Sequence, residues 1–487
     1  MSNLSELLPA GGGGKNVSFV ASGAIGNGVT VGLNSGGTVS AIAITSVSET
    51  VGTAAVFESA ASRFFSSAYD ANAQKVVIAY QDIGNSSYGT AIVGTVSGTS
   101  ISFGTPRVFE SATTKLGFSS VGYDANAQKV VIAYRDYGNS SKGTAIVGTV
   151  SGTSISFGSA TVFETGSSDY FSVVHDANAQ KMVIAYEDGG NSNHGTAIVG
   201  TVSGTSISFG SPVVFESDDS RWIAATYDSA SNKVVIAYED NGNSGYGTAI
   251  VGTVSGTSIS FGTAVVFDSA NSESMSAAYD ANAQKVVIAY QDRDNNDYGT
   301  AIVGTVSGTS ISFGTAVVFE SADSLDFSVV YADNSQKVVI AYRDEGNSNH
   351  GTVIVGTVSS TSISFGTAVV FETAATDYIT AVYDTNAKNV VIAYEDGGNS
   401  DYGTAVVFQN AYSSSNASDF IGISDAAISD TASGSVTIKG GISTNVSSLT
   451  PNATYYVQAN GTLSTTTSSV LAGKALSSTS INLDYTT

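Results

Sequence analysis

The chain has 487 residues, a formal charge of −23, no cysteine and 12% charged residues. Disulfides and cysteine-based metal or redox sites are excluded, and an acidic balance argues against nucleic acid as a partner, which needs a basic surface. Apolar residues never run for about 18 positions, so no helical membrane span is expected.

In chain order, residues 1–45 come first. Ser2–Leu8 reads as one helical turn and Gly11–Gly14 as a flexible tether. The start lacks the basic residues and apolar core of a secretory signal. Short strand signals follow from Val17 and from Val29, with a turn over Asn34–Gly37. This piece is too small to bury a core of its own.

A repeat then begins. The phenylalanines of a VFE or VFD ending fall at Phe57, Phe109, Phe163, Phe215, Phe267, Phe319 and Phe371, in steps of 52, 54, 52, 52, 52 and 52 residues. A fixed period of this length marks a repeat architecture. The first unit holds four strand signals, Phe64–Tyr69, Lys75–Asp82, Thr90–Val96 and Thr99–Phe109, with Asp-, Asn- and Gly-rich turns between them. The second is an unbroken apolar run, Val76–Tyr80, which fits a strand buried on both faces. The fourth alternates polar and apolar residues, as an edge strand does.

Those features predict an all-β fold, a seven-bladed β-propeller of four-stranded antiparallel blades. The KVVIAY-type strand occurs seven times, ending at Tyr80, Tyr134, Tyr186, Tyr238, Tyr290, Tyr342 and Tyr394, but the seventh copy lacks its fourth strand. Val51–Glu58, which has no unit before it, supplies a matching sequence. It is expected to complete the last blade beside residues 403–410, closing the ring and removing two open edges. The propeller spans about 46–410, residues 411–418 read as a linker, and 419–487 as further β structure with a hairpin turn at Asn460-Gly461. Ring closure brings both flanks together, so they are expected to form one small β domain into which the propeller is inserted.

The flanks carry MSNLSELLPAGGGG (1–14), ASGAIGNGVTVGLNSGGTVSAI (21–42), FIGISDAAISDTASGSVTIKGG (420–441) and LTPNATYYVQANGTLSTTTSSVLAGKALSSTSINL (449–483). In these segments the chain resembles tail-fibre and other virion structural proteins of marine phages, especially those infecting cyanobacteria. The resemblance implies a virion location, contact with other virion proteins through the terminal domain, and a homo-oligomer, with trimers common among such fibres. It covers about a quarter of the chain and none of the repeats.

Comparing the copies locates function. The DANAQK and VSGTS turns barely change. The connections from strand four to strand one (SAASRF, SATTKL, TGSSDY, SDDSRW, SANSES, SADSLD, TAATDY) and from strand two to strand three (DIGNSSYG and its equivalents) change in most copies, and both leave the blade on one face. That diversified rim is the candidate binding surface, since function concentrates on loops held by a rigid scaffold. It offers Tyr88, Lys142, His194, Tyr246, Tyr298, His350 and Tyr402, with Arg63, Tyr170, Arg221, Trp222 and Tyr378. Beside these stand Lys115, Asp169, Glu273, Asp326 and Asp377. Aromatic rings with flanking Asp and Asn suit a carbohydrate, and Trp222 with Arg221 makes an anchor.

An Asp ends strand two in all seven copies: Asp82, Asp136, Asp188, Asp240, Asp292, Asp344 and Asp396. A turn carboxylate accepting backbone N–H bonds explains it; the alternative, a calcium loop, lacks ligand density and a distal Glu. No cofactor and no metal site are read from the sequence. No nucleophile elbow, zinc helix or phosphate loop is present. His175 replaces a recurring Tyr and reads as packed. The expectation is therefore a non-enzymatic appendage contacting a host-surface glycan or protein without membrane insertion. The alternatives are a structural or capsid-decorating virion protein without a receptor, and a propeller glycan hydrolase.

Overall fold

The second strand of each repeat explains why the units stand side by side. In the computed structural model, which describes residues 15–117 and 120–483, Val76–Tyr80 are all shielded from solvent. Successive side chains of a strand point to opposite faces. Val76, Ile78 and Tyr80 share a cluster with Val391, Ala393, Ala405 and Val407 of the last repeat. Val77 and Ala79 point the other way, into a cluster with Val130, Ile132 and Tyr134 of the second repeat. The large face of one sheet thus meets the smaller face of the next, which fills the interior at close-packed density. The run KVVIAY is two alternations superposed, one for each neighbour.

Within a repeat the strands are antiparallel. Lys75–Asp82 pairs with Tyr88–Ser97, Tyr80 opposite Thr90. Tyr88–Ser97 in turn pairs with Ser100–Phe103, whose alternating exposure marks the outer edge. The inner strand departs from expectation. It runs over 16 residues, Ala55–Asp70. Its first part pairs with Tyr402–Gln409 of the last repeat and its second part with Lys75–Asp82. The connection SAASRF is therefore not a loop but the bulged middle of one long strand, with a register break between Arg63 and Ser66. Thr161–Asp176, Val213–Asp228, Val265–Asp280, Val317–Ala332 and Val369–Asp384 repeat the arrangement. In the second repeat Arg107–Lys115 and Val121–Asp124 are separate strands.

The chain start closes the circle. Val51 lies opposite Phe408 and Ala55 opposite Ala405. Phe57 meets Tyr80 and Phe103 at centroid distances of 5.4 and 5.3 Å, as Phe109 meets Tyr134 and Phe157 at 5.2 and 5.7 Å. Gly403 leaves space for that ring: a Cβ there would come within 2.6 Å of it. The repeated antiparallel units thus form a ring whose seam is the N-terminal strand. The residue after each such Phe bridges the same joint. Tyr80 Oη donates to Glu58 at 3.1 Å, Tyr238 to Glu216 at 3.0 Å and Tyr394 to Glu372 at 3.1 Å. Burial holds these phenols far above their usual pKa, so they remain donors. This joint explains why VFE and AY recur together.

The chain divides into two compact units: Ser48–Asn410, which holds the ring, and a second made by Met1–Val47 with Ala411–Thr487. In the second unit, Asn16–Val20 pairs with Ser433–Ile438, and Thr30–Leu33 lies between Val39–Ala41 and Phe420–Ser424. Strands from both flanks therefore share one sheet. A further sheet is built entirely from Ile442–Leu483. The segment 411–418 is not a plain linker. Tyr412–Ser415 forms a strand against Ile44–Val47, and a 3₁₀ turn follows at Ala417–Asp419. Strand pairing uses backbone groups alone, so a serine-rich stretch can pair once a partner is near. The helical turn and tether expected over Ser2–Leu8 and Gly11–Gly14 lie outside the described residues. No helix among the described residues is long and apolar enough to cross a membrane.

Candidate functional site

The turns after the second strands are built by the recurring Asp. Asp82 Oδ1 accepts from Asn85 N at 3.0 Å, Asp188 from Gly190 N at 3.0 Å and Asp240 from Asn243 N at 3.1 Å. Each caps a short 3₁₀ turn that ends on a left-handed residue, Ser86 in the first repeat with φ 59°. The carboxylate is thus engaged by backbone. Among the described residues, no group of three or more His, Cys, Asp or Glu is placed to hold a metal ion. Asp240→Ala is expected to destabilise the ring by about 1 kcal/mol, the usual size of a lost cap, read as a shift in the urea midpoint of Trp222 fluorescence.

Seven of the expected ligand residues are not at the turn tips. Tyr88, Lys142, His194, Tyr246, Tyr298, His350 and Tyr402 open the third strands and are half-buried. Each stands opposite its capping Asp, Tyr88 across from Asp82 and His194 across from Asp188. They sit one to a repeat, and the fold does not gather them into one site.

The bulged strands do gather residues. One position in each bulge lies in the left-handed region: Phe64 (φ 53°), Tyr170 (50°), Trp222 (49°), Ser274 (50°), Asp326 (54°) and Tyr378 (53°). Bulges re-aim side chains, and these come from the innermost strands of successive repeats. Phe64, Tyr170, Trp222 and Tyr378 line a cavity of about 160 Å³ together with Lys115, Leu116, Gly117 and Asp169. Tyr378 and Phe64 rings lie 4.8 Å apart, and Tyr170 and Trp222 5.4 Å apart. Lys115 Nζ stands 5.7 Å from the centroids of both Phe64 and Tyr170 and 2.7 Å from Asp169 Oδ2. Burial pushes the Tyr170 phenol up to about 12. Gly117 is needed at the floor, where a Cβ would meet the Phe171 backbone at 2.6 Å.

A second variable set stands at the penultimate position of the second strands, one to a repeat: Gln81, Arg135, Glu187, Glu239, Gln291, Arg343 and Glu395. These reach across the joints between repeats. Arg135 bridges to Asp169 at 3.3 Å, Arg343 to Asp377, and Glu395 to Arg63 at 3.4 Å. Arg221 is held by Asp219 at 2.8 Å. Burial lifts the carboxyls of Glu187, Glu239 and Glu395 to about 7, with like-charged neighbours adding to it: Asp169 and Asp219 for Glu187, Glu273 for Glu239, Asp401 for Glu395. Burial likewise raises Asp326 to about 6.

Of the twelve expected ligand residues, Tyr170, Trp222 and Tyr378 therefore line the cavity, and Arg63 and Arg221 sit at its margin in ion pairs. Phe64, Leu116 and the penultimate set were missed. The signal for that set was present, because the residue between AY and D changes from copy to copy inside an otherwise constant strand.

The opposite rim is built for uniformity. Tyr123 Oη accepts from Asn72 N of the preceding repeat at 3.1 Å, and Tyr227 Oη from Asn178 N at 3.1 Å. His175 occupies the same position and instead places Nε2 3.3 Å from Asp124 Oδ1. Burial works to raise the Asp124 carboxyl, but the neighbouring His175 and the backbone N–H groups of Ala127 and Asn126 hold it below the usual range. His175 is thus a joint residue.

No family model matches the chain, and no curated protein matches it. Solved structures do. The BP39L lectin from Burkholderia pseudomallei superposes with a TM-score of 0.50 at 11% identity, covering 73% of this chain and 98% of the lectin. A protein of unknown function from Dyadobacter fermentans gives 0.46 at 11% identity over 75% of this chain and 99% of its own. The SapL1 lectin, solved with alpha methyl fucoside, gives 0.38 at 13% identity over 58% and 90%. The likeness is one of fold. It places the ring of antiparallel units in the same architecture as the first of these lectins.

Proposed function

We propose that the ring is a seven-bladed β-propeller that binds glycans of a host cell surface through its diversified rim. The observation that carries this reading is the aromatic-walled cavity at that rim, where Tyr170, Trp222, Phe64 and Tyr378 surround a Lys115–Asp169 pair. Aromatic faces cover the apolar side of a sugar ring, and a fixed ammonium–carboxylate pair bonds hydroxyls. A lectin sharing the fold supports it. The resemblance of the flanking segments to phage tail-fibre proteins supports a virion location for this reading, with the unit made by both termini attaching to other virion proteins. Several copies per particle, a trimer in the simplest case, would raise avidity without new contacts.

Binding without chemistry fits the cavity better than hydrolysis. A glycosidase needs two carboxyl groups flanking the scissile bond. The cavity lining contributes one carboxylate, Asp169, which Lys115 and Arg135 already neutralise. A glycan array probed with the full chain is expected to show selective binding, reduced about tenfold or more by Tyr170→Ser combined with Tyr378→Ser, which is more than about 1.4 kcal/mol. Serine stands naturally at the equivalent Ser274, so these variants keep the fold. Binding to no glycan and to no host cell would refute the reading, and shortening of a polysaccharide on incubation would replace it with hydrolysis.

A further inference from the structure

We infer that the cavity is a single end-on site for one uncharged pyranose, the terminal residue of a glycan, and that the chain carries this one site rather than one per repeat. The inference rests on the saccharide-binding reading above and narrows it. Its first ground is the backbone. The left-handed conformation is unfavourable for residues with a Cβ, by about 1–2 kcal/mol each. Elsewhere the chain meets this demand with glycine, as at Gly98 (φ 58°) and Gly152 (φ 60°), or with flexible polar residues, as at Gln74 (φ 55°) on the opposite rim and Ser86 (φ 59°) in a 3₁₀ turn. At the four cavity positions it uses neither. Phe64, Tyr170, Trp222 and Tyr378 hold aromatic side chains there against the local preference, and such strain persists where the side chain itself is required.

The second ground is division of labour around the circle. Ser274 and Asp326 occupy the same bulge position but serve their neighbours. Asp326 N donates to Ser274 Oγ at 2.9 Å, and Tyr378 N donates to Asp326 Oδ2 at 2.6 Å. The aromatic members are confined to the remaining arc, where they meet in pairs and wall the cavity. Repeats that each bound a sugar alike would keep the same side chain at this position. These do not, and the differing residues converge on one place.

Charge and size name the ligand. Within the lining Lys115 meets Asp169 at 2.7 Å, and Arg135, outside the lining, bonds the same carboxylate at 3.3 Å, so both charges of the lining are already paired. An anionic sugar would meet Asp169 and a cationic one Lys115, whereas hydroxyls can bond to both. The volume of about 160 Å³ is below the range of about 300–1,000 Å³ typical of drug-sized ligands, so it admits one ring and not a chain segment.

Trp222 is the only tryptophan of the chain, so its emission reports on this cavity alone. The full chain would be titrated with the methyl glycosides of neutral hexoses, 6-deoxyhexoses and pentoses, with methyl glucuronide and glucosamine as charged probes. Saturation-transfer NMR on the same samples detects binding anywhere on the protein. The expected result is a neutral glycoside that gives a transfer signal, shifts Trp222 emission and saturates at one equivalent per chain. Tyr170→Ser or Tyr378→Ser should weaken it about tenfold or more, about 1.4 kcal/mol, and Lys75→Ala on the opposite rim should leave it unchanged. A transfer signal without change at Trp222, kept in Tyr170→Ser and lost in Tyr246→Ala with Tyr298→Ala, would overturn the single site while glycan binding stands. Several equivalents per chain, or binding of charged probes alone, would overturn it equally. No transfer signal from any probe would overturn both this inference and the reading beneath it.

Discussion

Phe57→Ala is expected to destabilise the ring by about 3–5 kcal/mol, the usual loss for a buried phenylalanine, and by as much as Phe215→Ala. Phe215 joins two repeats in the middle of the chain, against Tyr238 and Phe261 at 5.1 and 5.7 Å. Phe57 makes the equivalent joint, but on a strand that belongs to the last repeat by pairing and to the first by sequence. Both side chains are almost fully buried, at 7 and 8% exposure. A closed ring has no end, so the seam should be as costly to break as any other joint. In an open array Phe57 would lie on a terminal face and its loss would cost little. Denaturant unfolding followed by Trp222 fluorescence separates the two, because the only tryptophan lies in the ring unit.

The ring is also expected to become more stable as the pH falls from about 8 to about 5. Glu187, Glu239 and Glu395 have carboxyls raised to about 7, against an ordinary value of 4.5. Between these values the folded chain holds protons that the unfolded chain has released. Stability then falls as pH rises through the window, and levels off below about 4.5 where both states are protonated. Allowing for solvent screening at the rim, the summed effect is on the order of 1–3 kcal/mol. Asp124, whose carboxyl is held low, acts below this window. Two repeats already carry glutamine at the position, Gln81 and Gln291, so Glu187→Gln, Glu239→Gln and Glu395→Gln keep the shape while removing the proton. The triple variant should show a shallower profile of melting temperature between pH 5 and 8, the slope that remains coming in part from Asp326, whose carboxyl is raised to about 6. An unchanged slope would assign the pH dependence elsewhere.

Much of the ring was legible because its determinants are local and repeated seven times. The doubly apolar strand, the turn residues and the orphan VGTAAVFE segment each follow from period and pattern. The missed features depend on conformation that composition does not reveal. SAASRF and its equivalents look like loops by their Ser, Ala and Asp content, yet two pairing partners at either end hold them extended. The bulge turns on a left-handed residue, and no glycine marked it. Tyr88 and its equivalents looked like turn tips because the 3₁₀ turn after Asp82 ends earlier than the glycine at 89 implied. The penultimate set around Arg135 and Glu239 was hidden inside a strand read as constant. The cavity itself arises from residues some 50 to 300 positions apart in sequence, and only closure of the ring makes Tyr378 and Phe64 neighbours.

The most direct test is a crystal structure of the full chain soaked with the neutral glycan that binds best on the array. Sugar density stacked between the Tyr170–Trp222 and Phe64–Tyr378 pairs, with hydroxyls on Lys115 and Asp169, is the predicted result. Density confined to the outer positions near Tyr246 or Tyr298, or to the rim of DANAQK turns, would contradict it.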